Sequence, residues 1–237
     1  HRALSKTTGD VAFDPEPMRA KEISDWVEHL RDEVIHTLDI LKSRFDTLHE
    51  RILPDATRLL EMKSVMLERI ASLAPSGATI KKIRHHGDYH LGQVLVVEND
   101  FVIIDFEGEP ARPVFERRKK ASPLRDVAGM LRSFSYVAYA ALFWETTESP
   151  ENFDLLEPFA LDWERTAAEI FMEGYVEGVD GSSVYPADPN QTKALLELYI
   201  LEKALYELRY EFDNRPDWIG IPIKGLVRFL QGGEELQ

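Results

Sequence analysis

Two short apolar runs, Val94 to Val97 and Phe101 to Ile104, flank the polar triplet Glu98-Asn99-Asp100. β-Branched and aromatic runs joined by so short a polar link read as a β-hairpin. The rest of the chain follows a different period. From Lys21 to Arg44 the residues Ile23, Trp26, Val27, Leu30, Val34, Ile35, Leu38 and Leu41 recur at three- and four-residue steps, the mark of an amphipathic helix. Further helices are expected over Ala56 to Leu73, Leu124 to Trp144, Phe153 to Gly178, Asn190 to Phe212 and Ile223 to Leu230. Pro75-Ser76-Gly77 ends the second of these, Ala78 to Arg84 reads as a short strand, and residues 1–19 read as a connector. One small hairpin among helices makes a mostly helical α+β fold.

Composition narrows the function classes. A net charge of −14 over 237 residues argues against a nucleic-acid surface, which needs a basic stripe against phosphates. The basic run Arg117-Arg118-Lys119-Lys120 is too short to reverse that, and reads as a solvated loop or a group near phosphates. No apolar run approaches the ~18 residues of a membrane span. The chain has no cysteine, so disulfides and thiolate metal sites are excluded, and the expected compartment is the cytoplasm. It opens on His1-Arg-Ala-Leu-Ser-Lys6, which reads as the tail of a helix already under way, so a piece of a longer polypeptide is expected.

The chemistry gathers around the hairpin. His86-Gly87-Asp88-Tyr89-His90-Leu91-Gly92-Gln93 leads into its first strand, and Asp105-Phe106-Glu107 leaves its second. Pairing the strands brings Gln93 and Asp105 to the same end, beside the Asp88 loop. An amide oxygen and a carboxylate there suit magnesium, a hard cation that takes oxygen ligands. A loop acid, an amide at strand start and an acid at strand end together meet the needs of phosphoryl transfer. Singly, each is more ordinary: His-Gly-Asp forms turns, and Ile-Ile-Asp-Phe ends buried strands. A zinc site on His85, His86 and His90 lacks a further ligand at suitable spacing.

A second candidate face lies on the expected helix from Asn190 to Phe212. Lys203, Tyr206, Glu207 and Tyr210 stand at i, i+3, i+4 and i+7, while Leu201, Leu205, Leu208 and Phe212 cluster nearly opposite. Tyrosine rings can stack on a pyranose, and Lys and Glu can form charge-assisted bonds to its hydroxyls. A solvated face with a Lys–Glu pair is the ordinary alternative.

His86-Gly-Asp-Tyr-His-Leu-Gly-Gln93 followed by Ile104-Asp-Phe-Glu-Gly-Glu-Pro110 resembles the C-terminal lobe of the aminoglycoside-phosphotransferase-like kinases. Glu116 to Phe134, Glu202 to Glu211 and Asn214 to Trp218 resemble the bacterial maltokinases more closely, including those fused to trehalose synthase. The resemblance implies a protein-kinase-like C-terminal lobe over 1–237. Its parts would be a helical part (1–80), the catalytic loop and metal-binding hairpin (81–110) and a helical sugar-binding part (111–237), with the N-terminal ATP-binding lobe absent. It implies ATP-dependent phosphorylation of maltose or a similar disaccharide to the 1-phosphate, with magnesium, and trehalose synthase as a fused or associated partner. Asp88 would be the catalytic carboxylate, Gln93 and Asp105 the metal ligands, and Glu107 a residue at metal or nucleotide. His90, Lys203, Tyr206, Glu207 and Tyr210 would meet substrate, with His86 and Asp126 supporting the loop. Other acceptors on the same fold, an aminoglycoside or amino alcohol, and a non-catalytic carbohydrate-binding module remain the alternatives.

Overall fold

A computed structural model describes residues 1–75, 80–110, 112–182, 184–186 and 188–231. Ser76 to Thr79, on which part of the expected helix stop and strand fall, lie outside the described residues. The architecture is mostly helical α+β. Packing divides the chain into two units, His1–Met18 with Ala78–Leu196 and Arg19–Gly77 with Glu197–Gln237.

The second unit is helical. Helix α1 (Ala20–Ser43) buries Ile23, Leu30, Val34, Leu38 and Leu41, the stripe its spacing dictates. The next expected helix is in fact two, α2 (Leu53–Glu61) and α3 (Lys63–Leu73). Pro54 is tolerated in the first turn of α2, where its missing N–H costs nothing. At Met62 the backbone relaxes to φ −84° and ψ 9°, and its N–H is shared between the carbonyls of Arg58 and Leu59. No glycine or proline marks that break.

Most of helix α7 (Pro189–Asn214) and all of α8 (Gly220–Gln231) complete this unit. Leu198, Leu201, Leu205 and Leu208 of α7 join Leu38, Leu59, Met66, Ile70, Ile223 and Leu226 in one core. Each such buried side chain is worth about 1.5–3 kcal/mol. Polar ties fix the register of the helices. The Trp26 indole stacks on Tyr199 and donates to Glu202 at 2.8 Å. Arg209 reaches both Glu33 and Thr37, and buried Glu197 pairs with Arg69 at 2.6 Å.

In the first unit the connector does more than connect. Its strand β1 (Glu16–Pro17) pairs antiparallel with β2 (Lys81–Lys82), Glu16 opposite Lys82. Lys120 donates to the carbonyls of Val11 and Asp14, so one member of the basic run is a buried structural cation. The hairpin is β3 (Val94–Val97) against β4 (Asp100–Ile103), with Val97 opposite Asp100. Its loop is therefore two residues, not three, and Glu98 takes φ 56° to close it. The apolar hairpin side chains are exposed on both faces, Phe101 at 68%. A short helix, α4 (Val114–Arg117), follows. Two long helices, α5 (Leu124–Glu145) and α6 (Phe153–Val179), then pack together.

Candidate active site

The loop between β2 and β3 is held from three sides. Asp126, in the first turn of α5 and 2% exposed, accepts from the backbone N–H of His86 at 2.7 Å with one oxygen and of Gly87 at 2.9 Å with the other. The His86 ring Nε2 donates to the carbonyl of Ile104 at 2.7 Å, which fixes that tautomer. Its Nδ1 then accepts the Asp88 N–H at 3.3 Å, and the ring lies between those of Tyr89 and Phe106. Gly87 sits at φ 87°, where a Cβ would come within 3.1 Å of the Gly108 Cα. Only glycine passes the following turn that closely.

This anchoring presents Asp88, whose side chain is 15% exposed. Its Oδ2 lies 3.7 Å from the Nε2 of His90, beyond hydrogen-bond length. His90 accepts the Gly92 N–H at 3.0 Å through Nδ1. The Ile104 N–H donates to the Gln93 carbonyl at 3.0 Å, extending the hairpin ladder one step past β4. Gln93 and Asp105 are therefore neighbours, and the Gln93 Nε2 donates to Asp105 Oδ2 at 3.3 Å. Asp105 holds φ 61°, a left-handed conformation that costs of order 1 kcal/mol in a non-glycine residue and recurs at functional sites.

The donor set at this end of the hairpin fits magnesium. An amide and a carboxylate are hard oxygen donors, and magnesium commonly takes one or two protein ligands and fills its shell with water and phosphate oxygens. Among the described residues no group of three His, Asp or Glu converges as a metal cage. Glu107 is 83% exposed at its side chain and lies 3.9 Å from the Nη1 of Arg117, which also donates to the Glu107 carbonyl at 3.2 Å.

The α7 residues belong to the second unit, whereas Asp88, Gln93 and Asp105 belong to the first. The leucine face is buried throughout. The opposite face is less open than its spacing suggests. Glu207 is only 7% exposed, Lys203 and Tyr206 are half-buried, and Tyr210 is exposed at 39%. Lys203 lies over the Tyr206 ring, Tyr206 stacks on Tyr210, and Arg215 lies over Tyr210.

Several residues of the site carry no sequence pattern. Ser133 accepts the Leu91 N–H at 3.2 Å. Burial pushes the His85 imidazole below its ordinary range, Asp126 opposes that, and Arg125, Arg112 and Arg84 add to it. Gly129 did leave a signal, as a glycine inside a helical pattern. A Cβ there would meet the Tyr89 carbonyl at 2.6 Å, so α5 can approach the loop only without one. Gly129→Ala gains up to about 1 kcal/mol of helix propensity. It also forces the loop away from α5, and such overpacking costs about 1–3 kcal/mol. The second effect should win. Urea unfolding should show a net loss, and turnover should fall with it; a variant as stable as the parent would mean the loop is not seated there.

No family model matches the chain. A glucosamine kinase of Mycolicibacterium smegmatis is 32% identical over 179 residues, 74% of this chain and 41% of that protein. One of Streptacidiphilus jiangxiensis is 25% identical over 145 residues, 61% of this chain and 31% of that protein. A solved glucosamine kinase structure superposes with a TM-score of 0.75 at 21% identity, over 98% of this chain and 49% of the other. A glucosamine kinase in complex with glucosamine, ADP and inorganic phosphate gives 0.73 at 22%, over 97% and 48%. At that identity the likeness establishes a shared fold. The chain spans under half the length of each of these relatives.

The maltokinase reading does not hold. These relatives are glucosamine kinases, neither maltokinases nor aminoglycoside phosphotransferases. The kinase-like lobe, the maltose acceptor and the trehalose synthase partner lose their support with it. The physical reason lies in what the motifs report. The demands of phosphoryl transfer, against which the loop and hairpin were read, are much the same for any sugar hydroxyl. The segments that narrowed the resemblance are largely scaffold: Leu124, Asp126, Val127, Ala128, Met130, Leu205, Glu207, Leu208 and Glu211 are all buried. No helix among the described residues is long and apolar enough to cross a membrane.

Proposed function

We propose that this chain carries the phosphoryl-transfer loop of an ATP-dependent sugar kinase whose acceptor is an amino sugar of the glucosamine type. What supports the reading most is the Asp126-anchored loop presenting Asp88 beside Gln93 and Asp105, in a chain 32% identical to a glucosamine kinase. Asp88 would orient the accepting hydroxyl and take up its proton as the phosphorus–oxygen bond forms. Gln93 and Asp105 would hold a magnesium ion, which when bound offsets the negative charge on the nucleotide phosphates. Glu107, at the mouth of the same turn, would serve the nucleotide side. His86 and Asp126 act at one remove, through the backbone, by keeping the loop in register. Catalysis of this kind comes from positioning and charge complementarity, with no covalent intermediate on the protein.

An amino sugar is cationic at neutral pH, and a chain of net charge −14 favours its approach over that of a neutral sugar. His90, 3.7 Å from Asp88, is the nearest candidate to meet the acceptor. By residue type Lys203, Tyr206, Glu207 and Tyr210 of the second unit suit contact with a sugar, Tyr210 foremost as the exposed ring.

The test is ADP release by the full-length protein with ATP and magnesium over glucosamine, glucose, N-acetylglucosamine, maltose and an aminoglycoside. A recognised ammonium group should raise kcat/KM for glucosamine over glucose by about 10- to 100-fold, the worth of one charged hydrogen bond. Equal rates with glucose would remove the amino-sugar assignment, and no turnover on any sugar would remove the kinase.

A further inference from the structure

The side chain of His1 is tied into the back of the loop anchor. Its Nε2 lies 3.0 Å from Asp126 Oδ2, the oxygen that also accepts the His86 N–H. Its Nδ1 lies 2.9 Å from the hydroxyl of Tyr175 on α6. The two neighbours assign the ring's protons. Nε2 faces a carboxylate and must carry hydrogen, so Nδ1 accepts from the phenol. Burial first, and then the charge of Asp126, disfavours ionisation of Tyr175, which keeps the hydroxyl a donor. The result is a directed chain: Tyr175 O–H to His1, His1 N–H to Asp126, and Asp126 to the amides of His86 and Gly87.

We propose that His1 is a positioning residue for the loop, clamping the Asp126 carboxylate so that its two oxygens stay aimed at the His86 and Gly87 amides. An aspartate held only by two loop amides can still rock about its terminal torsion, because that torsion is broad. A donor on its far side, itself fixed by α6, removes that freedom. The arrangement joins residues 125 and 174 positions apart in the chain, so nothing local requires it. Ser133, which takes the Leu91 amide, and Gly129, which admits the Tyr89 carbonyl, hold the rest of the loop from the same helix. His1 adds a hold on the anchor that comes from outside α5.

The proposal takes the purpose of the loop from the kinase reading, but its first readout needs no turnover. Amide hydrogen exchange of the segment containing His86 and Gly87 would be followed in the full-length protein and in His1→Ala, His1→Gln and Tyr175→Phe. Gln carries an N–H donor where the imidazole has Nε2, so it can replace the bond to Asp126. His1→Ala should speed exchange of those amides about 10-fold by easing local opening, and lower kcat with little change in KM for ATP. His1→Gln should restore both. Unchanged exchange in His1→Ala, or equal impairment of His1→Gln, would overturn the proposal by reducing His1 to packing. Should His1→Ala not fold, Tyr175→Phe decides: faster exchange of the same amides supports the chain of donors, and parental exchange refutes it. A parent protein that turns over no sugar would sink the kinase reading while leaving the exchange result to judge His1.

Discussion

Asp88→Asn in the full-length protein should lower kcat by about 10²–10⁴-fold, the usual worth of a positioned proton acceptor. KM for sugar and nucleotide should change little. The substitution keeps the shape of the side chain and removes the one property the reaction needs. The fold should survive, because the loop is secured through the backbone amides of His86, Gly87 and Asp88. Steady-state kinetics with a thermal melt alongside separates the two effects. Turnover at the parental rate would take Asp88 out of the mechanism.

Asp126→Ala should be costly in a different way. The carboxylate is almost completely buried and accepts two backbone N–H groups and the imidazole of His1. Truncation leaves those donors facing a void, and each unsatisfied buried group costs about 1–3 kcal/mol. A total loss of about 3 kcal/mol or more is expected by urea denaturation. Asp126→Asn fills the space but turns an NH2 toward one of the donors, so it should recover only part of the loss. A variant within about 0.5 kcal/mol of the parent, the range of an ordinary surface change, would show that Asp126 does not brace the loop.

These two residues differ in how far the sequence marks them. Asp88 stands in a compact motif beside histidines and glycines, and motif reasoning finds it. Asp126 was reached through a resemblance. Its role in the structure depends on α5 arriving with its first turn against the loop, which no spacing in the sequence states. The resemblance to maltokinases does not hold against the glucosamine kinases found, and the roles it implied for Asp88, Gln93 and Asp105 stand as proposals. Buried scaffold residues dominate the matched segments, and scaffold is constrained by packing rather than by the acceptor.

The long helices were legible because each buries one face, and burial on one face imposes the three- and four-residue period. Helix α5 was expected over Leu124 to Trp144 and runs Leu124–Glu145. The hairpin was legible from its β-branched runs, although its loop proved one residue shorter. The break at Met62 was not, because a single relaxed turn needs no special residue. Helix α4 is too short to display a period, and the pairing of Glu16 with Lys82 joins two-residue strands that no alternation could reveal. The exposure of the hairpin side chains was equally hidden, since an apolar strand looks the same whether or not anything covers it.

From its order of residues alone, this chain determined its helices, its hairpin and the loop acid beside it. Each of these depends on neighbours within a few positions, and local sterics and one-sided burial act at that range. Tertiary structure decided the rest: the division into two units, the close seat of α5 against Tyr89, the burial of Glu207, and the meeting of His1, Tyr175 and Asp126. Such contacts join residues far apart in the chain. Apolar burial drives the helices together, and the polar partners meet and strengthen one another only once that packing exists.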